Sequence, residues 1–235
     1  MKKMKNIVVI GCGSGIGLAT LKALHNTDHI IGISKTYSTE FDSLDIPFYK
    51  KNIITDQLDD IVFPEIIDGI VYAPGSINLK PFHRFTEEDF RADFEINVLG
   101  AVKIIQQLLP RLKKSNSASI VLFSSVAAKI GMPFHASIAT SKSAIEGLVR
   151  SLAAEFAQHN IRINAIAPSL TTTKLSASLL STPEKIEAAA KRHPLQNIGD
   201  PNDIAKMIVF LLSDFSSWIT GQIISIDGGM SNIKL

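Results

Sequence analysis

Three glycines, Gly11, Gly15 and Gly17, stand in the stretch GCGSGIG, directly after the β-branched run NIVVI. Residues at helical spacing follow, at Ile16, Ala19 and Leu24. Glycines at the junction of a strand and a helix leave the backbone N–H groups of the first turn bare. A pyrophosphate can approach those groups only where no side chain blocks it. The spacing G-x3-G-x-G in this setting reads as a dinucleotide loop, with Gly13, Ser14 and Ile16 in the contact segment. Cys12, inside the loop, reads as small filler rather than a reactive thiol. The end of the next strand-like run, HIIGIS, bears on which dinucleotide binds. A carboxylate there would hold a ribose 2′-hydroxyl. Ser34 and Lys35 stand there instead, and a lysine can pair with a 2′-phosphate as a point charge. NADP(H) is therefore expected over NAD(H).

These groups need a scaffold, and the hydrophobic pattern supplies one. Strand-like runs occupy residues 6–10, 29–34, 46–53, 66–75, 117–125, 161–168 and 223–229. Thr86 with Asp89 predicts a capped helix start. Phe94, Val98, Ala101, Ile105, Leu108 and Leu112 are expected to line its buried face. Ile145, Leu148, Leu152 and Phe156 define a second long helix, and another is expected near 183–191. Asp200 as N-cap with Pro201 at the first helical position opens a further one. The link 35–45 is barely long enough for a crossover, so any helix there is short. Strands alternating with helices predict an α/β fold in three αβα layers, with a mostly parallel sheet covered on both faces. No composition shift or repeat divides the chain, so 1–235 is expected to form one domain.

Bulk properties narrow the partners. Hydrophobic residues at 46% and charged residues at 20% argue against disorder. The net charge of +2 gives no reason to expect nucleic acid or an anionic membrane. The single cysteine rules out a disulfide framework or a cysteine-based zinc site and fits a reducing cytoplasm; no metal is expected. MKKMKNIVVIGC imitates a lipoprotein signal, but its apolar run is too short for one. No apolar run is long enough for a membrane-spanning helix.

The glycine loop, YAPG, INVLGA, FSSVA, the lysine-bearing helix, IRINAIAPS and ITGQIISIDGG occur in an order and spacing that resemble the short-chain dehydrogenase/reductase family. The resemblance covers roughly residues 5 to 231. It implies a Rossmann-type, doubly wound domain with a seven-stranded parallel sheet. It also implies a nicotinamide cofactor, a small carbonyl or alcohol substrate, and a homotetramer or homodimer packed through the long helices, here about 87–112 and 139–158. The family site is a Ser, a Tyr thirteen residues later, a Lys four residues after that, and an Asn one helix earlier. Ser125 matches the Ser, which would polarise the carbonyl. Lys142 matches the Lys, which would hold the nicotinamide ribose. Asn97 matches the Asn, which would hold a relay water, and a backbone kink is expected around this mid-helix Asn.

Further cofactor contacts are implied for Asn52, Ile53, Ala73, Pro74, Gly75, Pro168, Thr171 and Thr173. Residues 170–195 correspond to the substrate lid. The chain departs from the family at Ala73-Pro74-Gly75 for Asn-Ala-Gly, Asn52 for Asp, Pro168-Ser169 for Pro-Gly and Ile10 for Thr. The largest departure is at the Tyr position, where HASIATSK places Ile138. Ile has no proton to give, and a positioned acid contributes roughly 10² to 10⁴ in rate. Three readings follow. Another group donates, with His135 or a water chain from Lys142 through Asn97 as candidates. Alternatively, the protein is a non-catalytic NADP(H)-binding sensor or partner subunit. In the third reading, the substrate brings its own acid or needs only hydride transfer.

Overall fold

A computed structural model describes residues 4–234; Met1 to Lys3, the basic start of the signal-like stretch, lie outside them. Seven strands form one parallel sheet: β1 (Asn6–Ile10), β2 (His29–Ser34), β3 (Phe48–Lys50), β4 (Gly69–Tyr72), β5 (Ala118–Phe123), β6 (Ile161–Pro168) and β7 (Ile223–Ile226). Their order is β3-β2-β1-β4-β5-β6-β7. The order reverses between β1 and β4, and in open α/β sheets a ligand crevice lies at such a switch point.

Both sheet faces are buried, which is why the strands read as nearly continuous apolar runs. Alternation along β1 sends Val8 and Ile10 to one core and Ile7 and Val9 to the other. The first core packs beneath α3 (Gly100–Leu112) and α4 (Ala136–Phe156). The second packs beneath α1 (Gly15–Leu24) and α6 (Pro201–Leu212). Leu108, on α3, is wholly buried; burying such a side chain contributes about 1.5–3 kcal/mol.

The shorter helices are α2 (Glu87–Phe94) and α5 (Pro183–Ala190). Thr86 and Asp89 form the expected capping box, and Asp200 caps α6 with Pro201 following. A short 3₁₀ turn, Thr39–Ser43, is all that fills the β2–β3 link. Strands β3 and β4 are shorter than the apolar runs suggest. After β3, Asn52 and Asp56 exchange hydrogen bonds and turn the chain. Before β4, the Asp68 carboxylate takes the N–H of Asn6 and the hydroxyl of Ser115.

The expected single helix over 87–112 is interrupted. Residues Glu95–Leu99 wind as a π-turn between α2 and α3. The widened turn breaks the phase of the apolar stripe. Val98, Ala101, Ile105, Leu108 and Leu112 remain buried, but Phe94 is exposed, and Asp93 and Asn97 point inward. The kink expected at Asn97 is therefore this π-turn. No helix among the described residues is long and apolar enough to cross a membrane.

Candidate active site

A cavity of about 980 Å³ runs along the C-terminal ends of the strands. Residues just at or beyond five of them line it: Ile10, Ser34, Ala73, Ser125 and Pro168. It is the crevice that the reversal in strand order predicts.

At one side lies the N-terminus of α1. Ser14 stands at the N-cap with extended backbone (φ −168°, ψ 172°), yet its side chain caps nothing, and the first turn carries no acidic residue. The first-turn N–H groups thus keep their hydrogen-bonding capacity and partial positive charge for a ligand. Close packing holds the loop open. A Cβ on Gly17 would lie 2.3 Å from the Gly11 carbonyl oxygen, and Gly11 has φ +80° with its would-be Cβ 2.7 Å from Pro74 N. Neither position tolerates a side chain without moving the loop. Gly13, Ser14, Gly15 and Ile16 line the cavity beside them.

Beyond β2 the lining is Ser34, Lys35, Thr36 and Lys51, with Asn52 and Ile53 next to them. Lys35 is exposed. Asn52 Oδ1 accepts from Ile54 N at 3.1 Å, so its amide group is the part left to reach a ligand. The cavity carboxylates, Glu88 and Glu95, lie on α2 and the π-turn; no acid stands at the β2 end. Ala73, Pro74 and Gly75 line the cavity past β4; Thr171 and Thr173 line it past β6. The Thr171 hydroxyl donates to Ser169 O, and Thr173 is bonded to Ser176.

Ser125, Ile138, Lys142 and His135 all line the same cavity. Ser125 Oγ accepts from Ala127 N at 3.2 Å, capping a 3₁₀ turn. That bond uses a lone pair and leaves its O–H free to donate. Ile138 and Lys142 sit one turn apart on α4 and are both buried. Lys142 Nζ donates to Phe123 O at 2.9 Å. Burial pushes the ammonium down to about 8, while the charge of Asp93 pulls the other way.

Asn97 does not line the cavity; it lies just behind it. Its Nδ2 donates to Asp93 O and Ser76 Oγ, while Oδ1 is buried with no hydrogen-bond partner. A Cβ on Gly75 would be 3.4 Å from that Oδ1 and 3.9 Å from Lys142 Nζ, so the two polar atoms flank one spot. An orphaned acceptor beside an ammonium suits a bridging water or a ligand hydroxyl. Asp93 completes the network. Its buried carboxylate accepts from Ser76 and, at 2.6 Å, from Ser137.

His135 lines the cavity just outside α4. Helix α4 starts at Ala136, so His135 falls at the N-cap, outside the helix, and makes no side-chain cap. Its Nδ1 lies 2.7 Å from Pro133 O. A carbonyl only accepts, so Nδ1 carries the proton and the ring is tied back to the preceding turn.

The sequence reading did not single out Asp93, Ser76 or His193. Asp93 and Asn97 are four residues apart on one face, a spacing that could have exposed the pair. His193 left no such signal. It is buried, with Nε2 2.9 Å from Ser169 Oγ and Nδ1 2.9 Å from Ala189 O. Twenty-four residues separate Ser169 from His193, so only tertiary structure pairs them. Among the described residues no group of His, Cys, Asp and Glu could hold a metal ion.

Comparison with known proteins agrees with this architecture. Residues 56–231 match the family model described as Enoyl-(Acyl carrier protein) reductase. The chain is 33% identical over 242 residues to a 3-oxoacyl-[acyl-carrier-protein] reductase of Thermotoga maritima, covering 96% of this chain and 97% of that protein. Among solved structures, 4-hydroxyisoleucine dehydrogenase complexed with NADH superposes with a TM-score of 0.87 at 26% identity, covering 98% of this chain and 100% of the other. ElxO with NADP bound gives 0.85 at 27% identity, covering 97% and 99%. With a cavity at the sheet's switch point, a bare helix N-terminus within it and relatives matched from end to end, the chain belongs to the short-chain dehydrogenase/reductase family of NAD(P)-dependent oxidoreductases.

Proposed function

We propose that the protein is an NADP(H)-dependent reductase of small carbonyl compounds, with Ile138 in the place of the family's Tyr. One observation carries the reading: the uncapped N-terminus of α1 opens into the same cavity as Ser125 and Lys142. The solved relatives include one with NADH and one with NADP, so the charge at the β2 end decides the preference. Lys35 and the absence of an acid there favour the 2′-phosphate.

The residues fit a nicotinamide dinucleotide. The first turn of α1 would take the pyrophosphate, Asn52 and Ile53 would flank the adenine, and Lys142 would meet the ribose hydroxyls, with the orphaned Asn97 Oδ1 behind it reached through a water. When bound, the nicotinamide supplies hydride. Ser125 donates a hydrogen bond to the carbonyl oxygen as negative charge grows on it. Asp93, through Ser76, orients Asn97 and offsets the buried charge of Lys142. The setting is cytoplasmic, where the buried Cys12 thiol, pushed up to about 12, stays reduced and inert. The assembly is a homotetramer or homodimer, with Phe94 and Leu99 exposed on the long-helix face for a second copy.

The test is to titrate NADPH and NADH by fluorescence, then follow cofactor oxidation with ketones and aldehydes. Tighter NADPH binding with measurable reduction is expected. Ile138→Tyr should raise the rate of reduction, by adding a positioned acid at the family's position. Absence of nucleotide binding overturns the reading.

A further inference from the structure

The geometry points to Ser169 as the proton donor to the substrate oxygen, recharged by His193. This rests on the reductase reading and names the acid that Ile138 lacks. Both residues line the cavity that holds Ser125, Ile138 and Lys142. Ser125 and Ser169 follow neighbouring strands to the same cavity. Phe123, the last residue of β5, pairs with Ile166, and Ser124 N donates to Ile166 O. The chain runs on from there to Ser125, and β6 runs on to Pro168 and Ser169, and both serines line the cavity.

The imidazole is held for one task. His193 is 2% exposed. Its Nδ1 faces the Ala189 carbonyl, which can only accept, so Nδ1 carries a proton in every charge state. Nε2 faces Ser169 Oγ. In the imidazolium, Nε2–H donates to Oγ, and the Ser169 O–H is released to donate into the cavity. Transfer breaks the Ser169 O–H bond and forms an O–H bond on the substrate oxygen. The Nε2–H bond then breaks as Oγ regains its proton. His193 is left neutral, and solvent returns one proton. The electron pair reaches the carbonyl carbon as hydride from the family's nicotinamide, so no other reductant is needed.

The charged groups on segments packed around the ring are few. Lys191 and Arg192 adjoin it in the chain, with Lys191 paired to Glu187 on α5. Lys174 follows β6, and Lys142 faces the cavity from α4. Asp227 precedes Gly228, whose Cβ position lies 3.4 Å from His193 Cβ, but its carboxylate is occupied by the N–H groups of Gly229 and Ser231.

The test uses the full chain with NADPH and two probes, ethyl acetoacetate and benzaldehyde. Ser169→Ala and His193→Gln should each lower kcat about 10²-fold, leave NADPH affinity within threefold of wild type, and leave KM nearly unchanged. Wild-type kcat should carry a limb that falls with rising pH, and His193→Gln should lose that limb. Ser169→Thr, which keeps the hydroxyl, should recover most of the rate. In the nucleotide-free protein, ¹⁵N NMR should find neutral His193 protonated at Nδ1, and Ser169→Ala should move the Nε2 resonance. Wild-type kcat and pH profile in both variants, with NADPH still bound, overturn the relay and leave the reductase reading standing. A neutral ring protonated at Nε2 also overturns the relay. Failure of wild type to bind NADPH, or to reduce either probe, overturns both.

Discussion

Lys142 carries a measurable signature of its burial. Its ammonium titrates near 8 in the native protein, against an ordinary 10.5, because desolvation outweighs the attraction of Asp93. The unfolded chain therefore binds more protons between these two values, and stability rises with pH across that window. Below about 8 both states are protonated and the full penalty stands; above 10.5 neither is charged and the penalty is gone. The gap corresponds to roughly 3 kcal/mol at neutral pH. Lys142→Met removes the titrating group and keeps the aliphatic bulk. Urea unfolding of both proteins then isolates the lysine, because other titrations cancel in the difference. The stability of wild type relative to Lys142→Met should rise by roughly 1.4 kcal/mol from pH 7 to 9, and by about 2.5 kcal/mol by pH 10. In thermal melts the larger figure corresponds to roughly 5–10 °C. The difference is insensitive to the lost Nζ–Phe123 O bond, which shifts both ends alike. A flat difference from pH 7 to 10 would mean that Nζ is solvated and would refute the reasoning.

Three further outcomes are expected. Asp93→Asn removes the charge that supports protonated Lys142, so the pH-dependent rise in stability should begin below pH 8; an unmoved onset would uncouple the two groups. Gly17→Ala forces a Cβ to 2.3 Å from the Gly11 carbonyl oxygen, so it should lower stability by about 1–3 kcal/mol and abolish nucleotide binding, read by urea melts and fluorescence titration. Lys35→Glu should invert the cofactor preference, weakening NADPH at least tenfold while sparing NADH; an unchanged ratio of dissociation constants would remove Lys35 from the 2′-phosphate site.

Much of the fold was legible because it rests on local rules. β-Branched runs gave β1, β2 and β6 with their full bounds, since a strand buried on both faces must be apolar throughout. Caps at Thr86 and Asp200 located helix starts because orphan N–H groups demand nearby acceptors. The glycine loop was readable for a related reason: its residues are consecutive, and contact through backbone needs only that side chains be absent. The π-turn was less legible. Helical periodicity assumes constant winding, and one widened turn sent Phe94 outward and Asp93 inward.

The sequence by itself determined which groups are present: a bare glycine loop, a lysine where an acid would favour NAD, and Ser125 and Lys142 at a spacing interrupted by Ile138. Those properties follow from composition and short-range spacing, which the chain carries without folding. Only the tertiary structure decided which groups meet. It withdrew Asn97 behind the cavity wall, buried Asp93 against Ser76 and Ser137, and joined Ser169 to His193. Each of these depends on hydrogen-bond geometry between segments distant in the chain or on the exact winding of a helix. A hydrogen bond is made or lost within a few tenths of an ångström, and residue spacing carries no information at that scale.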